Sequence, residues 1–341
     1  MKKSLLFIIT SIFVLILAAC GNDSTKNEEK TTSETESDNE YPIVIKHAFG
    51  ETTIDEKPER VATISWANHD VALALGVVPV GFSAANYGIQ DDSGLLPWTA
   101  EKLKELGEEN PNVYQDTDGL DFEAIADSNP DVILAAYSGI TQEEYDTLSQ
   151  IAPVVPYEET PWVTPWRDQV LLNAKGMGME EEGKQLVADT EKLIEEKANE
   201  YSVIKGKKAA FGMFNTADLS SFYIYTPADP RGEFLSDLGM EYPEGIKNLI
   251  TDDSFYIQVS AENADALNDT ELFITYGNKD TLAALQADPI LGKVPAIAAG
   301  NIVVIEDNTP LAAAGNPNPL SIQYTIDEYL TLISDVAKNI K

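Results

Sequence analysis

Arginine is scarce in this chain, and it is the side chain best suited to gripping oxygen-rich ligands. Only Arg60, Arg167 and Arg231 occur among 341 residues that carry 57 acids against 23 bases. A guanidinium presents a planar fork of donors to carboxylate or chelate oxygens and stacks on aromatic faces. Arg167 directly follows Trp166 in the segment Trp162-Val-Thr-Pro-Trp-Arg167, and Arg231 follows a stretch that holds Tyr223 and Tyr225. Arg60 precedes an apolar run and is expected to form a structural ion pair. Other chemistries are poorly supplied. The two histidines, His47 and His69, are too few and too separated for the clustered His and carboxylate sites that hold bare zinc or manganese. There is no Gly-x-Ser-x-Gly elbow and no His-Glu-x-x-His pair, and nothing singles out a catalytic pair among the acids. The residues point to recognition rather than bond-making.

The aromatic candidates fall where strands should end. Val61–Ser65 and Pro79–Phe82 read as strands flanking a helix, Asn68 to Leu75, stopped by Gly76. Trp66 follows the first strand and Tyr87 the second, while Tyr137 and Ser138 end a third, Val132–Ala136. In the second half, Ala209–Phe214, Phe222–Tyr225 and Ile302–Ile305 supply strands, and Leu320 to Ile340 a closing helix. Ile43 to Ile54 alternates around Gly50 like a hairpin. Two segments echo each other: Glu123, Asn129 and Tyr137 align with Glu262, Asn268 and Tyr276 at identical spacing. Each reads as a short helix, a turn and a buried strand, which indicates duplicated topology. Strands alternating with helices predict largely parallel sheets, and the chain is longer than one core usually grows. Between the halves, Glu180 to Ile204 keeps its apolar residues at helical spacing, with no Pro and one Gly. About 22 helical residues would make a strut of about 33 Å.

The amino terminus carries an address. Lys2 and Lys3 precede an apolar stretch, Leu5 to Leu17, and Ala18-Ala19 sits just ahead of Cys20, the single cysteine. The run is shorter than the roughly 20 residues that cross a bilayer core. Leu17-Ala18-Ala19-Cys20 resembles the bacterial lipobox, whose cysteine receives diacylglycerol once the preceding peptide is removed; an ordinary secretory signal is the alternative. Asn22 to Glu40 contains no aromatic and no aliphatic residue, so it reads as a disordered acidic tether. A net charge of −34 argues against nucleic acid, and one cysteine leaves none for an internal disulfide.

The chain resembles the iron-siderophore and cobalamin substrate-binding proteins of ABC importers, the class III periplasmic-binding-protein family. The carriers are Arg60-Val-Ala-Thr-Ile-Ser65 leading into Leu73-Ala-Leu-Gly-Val-Val-Pro-Val-Gly81, then Phe122-Glu-Ala-Ile-Ala-Asp-Ser-Asn-Pro-Asp-Val-Ile133, then Gly232-Glu-Phe-Leu-Ser-Asp-Leu-Gly239. The likeness is greatest to the ferric-siderophore branch of Gram-positive lipoproteins. It implies an α/β fold of two Rossmann-like lobes with mainly parallel sheets, joined by a single long α-helix. The implied divisions are a signal peptide at 1–19, lipidated Cys20 and tether at 20–40, an N-terminal lobe at 41–179, an interlobe helix at 180–204 and a C-terminal lobe at 205–341.

The resemblance also implies a role: capture of a ferric siderophore between the lobes and delivery to an ABC permease with its ATPase. The chain would act as a monomer, anchored through Cys20 on the extracellular face of the membrane, with no cofactor. A siderophore already satisfies iron with oxygen ligands, so the cleft needs outer donors and aromatic walls rather than metal ligands. The expected ligand contacts are Trp66, Tyr87, Tyr137, Trp162, Trp166 and Arg167 in the first half. In the second they are Phe214, Tyr223, Tyr225, Arg231 and Tyr276, with Asn215, Tyr256 and loops at Asn308 and Asn316 as further candidates. A Trp or Tyr beside a strand serves a core as readily as a cleft wall. Two arginines at the site would favour a chelate with some negative charge, such as a citrate type. Glu123 and Glu262 match the family's permease-docking positions, where the alternative is a surface Glu at a helix start. Cobalamin or haem is the nearer rival ligand; an extracellular enzyme or an adhesin is a rival of another class.

Overall fold

A computed structural model describes residues 41–116 and 118–340. The signal peptide expected at 1–19, the lipidated Cys20 and the tether to residue 40 lie outside the described residues. The chain opens with a hairpin, β1 (Ile43–His47) and β2 (Gly50–Ile54), which pair antiparallel. A first lobe follows: β3 (Val61–Thr63), α1 (Asn68–Ala74), β4 (Gly81–Ser83), α2 (Pro97–Glu105), β5 (Val113–Tyr114), α3 (Phe122–Asp127), β6 (Val132–Ala135), α4 (Gln142–Leu148) and β7 (Val154–Pro156). Its strands run all parallel in the order β5-β4-β3-β6-β7. Strands covered on both faces read as continuous apolar runs, and β6 (Val-Ile-Leu-Ala) is fully buried along its length.

Two helices lead out of this lobe, α5 (Trp166–Gly176) and α6 (Glu180–Glu200). The strut expected at 180–204 is a 21-residue α-helix ending at Glu200, followed by a 3₁₀ turn over Ser202–Ile204. Three Glu in its first turn and Lys197 in its last complement the helix dipole. Gly183, Thr190, Ile194 and Ala198 form its buried stripe. A Cβ on Gly183 would stand 2.5 Å from the Ala174 Cβ, so the bare backbone lets α5 and α6 touch.

The second lobe holds β8 (Ala209–Met213), β9 (Ser221–Tyr225), α7 (Pro230–Asp237), α8 (Glu244–Lys247), β10 (Tyr256–Ser260), β11 (Leu272–Gly277), α9 (Thr281–Ala287), α10 (Pro295–Ala299), β12 (Ile302–Glu306), α11 (Pro310–Ala313) and α12 (Pro319–Ala337). Strand order is β10-β9-β8-β11-β12. Pairing across the two lobes is mainly parallel, as expected, but this sheet is mixed. β8, β11 and β12 are parallel, but β9 pairs antiparallel with both β8 and β10. The cause lies in the connection: residues 214–220 join β8 to β9 with no helix, and a parallel pair requires a longer crossover. The sequence repeat is visible as α3 before β6 and a 3₁₀ segment, Ala261–Leu267, before β11.

One core cluster combines Val71, Trp166, Val170 and Ile194 with Phe211, Phe234, Ile274 and Leu330, tying both lobes to the strut. Another joins Leu73, Phe82 and Trp98 of the first lobe to Ala313, Ala314 and Leu320 of the second. At that junction the fully buried Asp70 carboxylate accepts from Trp98 Nε1, Thr99 Oγ1 and, across the lobes, Asn318 Nδ2 at 2.7–2.9 Å. A buried charge is tolerated only when its oxygens are satisfied this fully.

Candidate functional site

A cavity of about 880 Å³ lies between the lobes, at the edge where the parallel strands end. Open α/β sheets bind ligands at that edge. Trp66 reaches it from the β3–α1 turn, where Ser65 and Ala67 hold left-handed backbone at φ 63° and 59°. Such conformations cost about 1–3 kcal/mol each and persist only where surrounding contacts impose them. The Ser65 N–H donates to Ser83 Oγ at 2.8 Å. Buried Asn68 does more: its Nδ2 donates to the carbonyls of Ile64 and Tyr137, and its Oδ1 accepts from the Tyr137 N–H and from Asn173 Nδ2. One amide thereby fixes the end of β6 against the end of β3.

Tyr137 forms the floor with Trp162, whose ring meets it edge-on at 5.3 Å. Trp162 takes φ 60° and donates its backbone N–H to the Ser138 carbonyl. A Cβ at Gly139 would lie 2.1 Å from the Trp162 indole nitrogen, so this loop requires glycine for the indole to seat. Burial pushes the Tyr137 hydroxyl above its usual range, with Asp229 adding to the effect. It stays protonated as a donor.

Across the cavity stands Arg231, in the first turn of α7. Its guanidinium lies 4.0 Å above the Tyr225 ring and 3.1 Å from each oxygen of Asp229. Asp229 also caps α7 by accepting from the Arg231 N–H at 2.8 Å. Burial pushes the Asp229 carboxyl up to about 6, against the pull of Arg231. The couple therefore carries no net charge at neutral pH. Tyr276 completes this wall, backed by the fully buried Phe211, whose ring lies 4.9 Å from it. Among the described residues, the remaining charged groups on the lining are acids: Asp116, Glu306 and Asp307. Ser83 Oγ donates to Asp116, whose carboxyl is raised by burial.

One side of the cavity is already closed by a clasp between lobes. Tyr87 Oη donates to Asp307 Oδ1 at 2.5 Å and accepts from the Asn308 N–H at 3.2 Å. The Gly88 N–H donates to Asn308 Oδ1 at 2.8 Å, and Gln90 Nε2 to the Asn308 carbonyl at 3.0 Å.

A cleft between two α/β lobes joined by a helix has known counterparts. The family model described as periplasmic binding protein matches residues 61–309. The chain belongs to the periplasmic binding protein family. A solved structure of PiaA from Streptococcus pneumoniae TIGR4, in complex with ferrichrome, superposes with a TM-score of 0.86 at 56% identity, covering 88% of this chain and 100% of that one. The probable siderophore-binding lipoprotein YfiY of Bacillus subtilis is 28% identical over 81% of this chain and 79% of its own. The ferric enterobactin-binding periplasmic protein FepB of Escherichia coli is 26% identical over 76% and 82%.

Of the expected contacts, Trp66, Tyr87, Tyr137, Trp162, Phe214, Tyr225, Arg231 and Tyr276 come together on the cavity wall, with Asn215 and Asn316. Three do not. Trp166 is fully buried in the core and donates its indole N–H to Asp237 Oδ2 at 2.9 Å. Arg167 stacks 4.5 Å over Trp166 and pairs with Asp237, Glu191 and Glu233 behind the cleft. Pro165 ends the preceding loop and starts α5, so both residues belong to a packed helical turn. Tyr223 lies beyond the cavity wall, against Tyr256. Among the described residues Arg60 forms no carboxylate pair through its side chain; it donates to the Ser128 and Asn129 carbonyls at the end of α3. His69 is buried against Phe82 and His47 bonds Thr52 inside the hairpin. Sequence reasoning missed Asp116, Phe255 and Asp307. All three border strands, β5, β10 and β12, and the first two strands went unrecognised: β5 has two residues and β10 is largely exposed. Glu123 and Glu262 are both exposed, each in the first turn of its helical segment, and neither side chain forms an ion pair among the described residues.

Proposed function

We propose that this protein is the substrate-binding component of an ABC importer, held outside the membrane by lipidated Cys20, and that its ligand is an uncharged or cationic ferric hydroxamate. The charge of the cavity carries the reading. Among the described residues its one cation, Arg231, is matched by Asp229, and the other charged side chains on the wall are Asp116, Glu306 and Asp307. A polyanionic citrate or catecholate complex would face acids without a free positive partner, and such like-charge juxtaposition costs several kcal/mol. The expectation of a citrate-type chelate rested on two arginines, of which only Arg231 reaches the site. An uncharged hydroxamate needs what the walls supply: aromatic surface from Trp66, Tyr137 and Trp162, with guanidinium and hydroxyl donors toward its chelate oxygens. PiaA, the solved relative, binds ferrichrome. The iron enters as chelated cargo.

Titration by tryptophan quenching tests this. Ferrichrome should bind at least about 100-fold more tightly than ferric dicitrate; the reverse order would overturn the ligand class. The exposed Glu123 and Glu262 are the proposed permease contacts. Glu123→Arg and Glu262→Arg should each retain ligand affinity and abolish uptake of ⁵⁵Fe-labelled ferrichrome into cells. Normal uptake in both variants would refute that assignment.

A further inference from the structure

We infer a second binding element beside the cleft: an aromatic shelf at the open edge of the second sheet that receives an apolar acyl or aryl arm of the siderophore. The inference rests on the hydroxamate reading above. Strand register places it. Tyr225 of β9 lies opposite Tyr256 of β10, and Tyr223 lies opposite Gln258 on one side and Met213 of β8 on the other. Residues paired across strands project from one face, and the period of two keeps Tyr223 on the face of Tyr225. Tyr225 and Met213 belong to the cavity wall, as does Phe255. The surface continues outward from there. Phe255 meets Tyr256 edge-on at 4.6 Å, and Tyr256 meets Tyr223 at 5.1 Å.

The two faces of the sheet around β9 differ at this edge. Phe222 and Ile224 on the far face are fully buried, whereas Met213 and Tyr256 on the cavity face are 42% and 36% exposed. β10 ends its sheet among the described residues, and its sequence, Tyr-Ile-Gln-Val-Ser, lacks the charges and proline that usually protect an edge. Apolar surface left open beside a ligand cleft marks a contact rather than a packing defect. Its continuity with the cavity through Met213 and Phe255 selects the occupant, because a substituent leaving the chelate on that side runs directly onto Tyr256 and Tyr223.

The test compares two ligands of equal charge, the ferric complexes of N-acetyl and N-octanoyl desferrioxamine B, titrated against the full chain. The octanoyl complex should bind about tenfold more tightly. Tyr256→Ser should remove that increment while the acetyl complex keeps its affinity within about twofold, and Tyr256→Leu should retain part of the increment. Matching thermal midpoints for the variants exclude misfolding. Equal affinities for the two complexes in the unaltered protein, or an increment unchanged by Tyr256→Ser, would overturn the shelf while leaving the hydroxamate cleft standing. Failure to bind either complex would overturn both readings. A concentration-dependent dimer abolished by Tyr256→Ser would assign the edge to a second copy of the chain and overturn the shelf.

Discussion

Arg167 and Arg231 share a local pattern and perform different tasks. Each guanidinium lies over an aromatic ring, at 4.5 Å for Trp166 and 4.0 Å for Tyr225, and each is paired with an Asp. Arg167 is encircled by Asp237, Glu191 and Glu233, which gather α5, α6 and α7 behind the cleft. Among the described residues Arg231 has one carboxylate partner, and it sits beneath an open cavity. The stacked aromatic and the ion pair are thus not signs of a ligand site in themselves. What distinguishes the two is the number of acids around the fork and whether its environment opens to a ligand-sized space.

Substituting Arg231 tests the comparison most severely. Arg231→Gln should weaken ferric hydroxamate binding on the order of 100-fold and, by leaving the buried Asp229 without its opposite charge, lower stability by about 3–5 kcal/mol. The double variant Asp229→Asn with Arg231→Gln should regain most of the stability and none of the affinity. Calorimetric unfolding alongside quenching titrations separates the two effects; full affinity in the double variant would make Arg231 another brace. Arg167→Ala should show the opposite profile. Its network is partly exposed, so a stability loss of about 1–3 kcal/mol is expected, with ligand affinity unchanged within about threefold. A large affinity loss there would erase the distinction.

The smallest effect is a pH dependence. Burial, with repulsion from Asp237, pushes the Glu233 carboxyl up to about 7, while Arg167 opposes the shift. The folded state then binds a proton that the unfolded chain, with its ordinary carboxyl near 4.5, has released. Stability from this group is complete below about 4.5 and is lost as pH rises through about 7. Glu233→Gln should therefore raise the melting temperature more at pH 8 than at pH 5. An equal shift at both values would show that Glu233 is ionised throughout and fully matched by Arg167.

Local periodicity was readable wherever an element carried its own signal. The Val132-Ile-Leu-Ala run, the Glu123-to-Tyr137 echo at Glu262-to-Tyr276, and the stripe through α6 all announced themselves through spacing. β5 and β10 did not. β5 is two residues long, and in β10 only Ile257 and Val259 alternate with exposed neighbours, a pattern too short to stand out without its pairing to β9. The antiparallel turn of β9 was equally hidden, since a strand's direction is set by its neighbours. In the site, residues following β3, β4, β6 and β8 were legible because parallel strands deliver their ends to one edge. Asp116 and Phe255 escaped because they border the two strands that were not seen.

The residue order by itself determined the two-lobed α/β plan, the helical strut and the aromatic supply of the cleft, because hydrophobic period and strand ends are local properties. Tertiary structure alone decided which arginine lines the cavity between the lobes, that its charge is matched by Asp229, and that Tyr87 clasps Asp307 across 220 residues of chain. Electrostatics and burial depend on which distant groups share a space. A sequence states those groups without placing them.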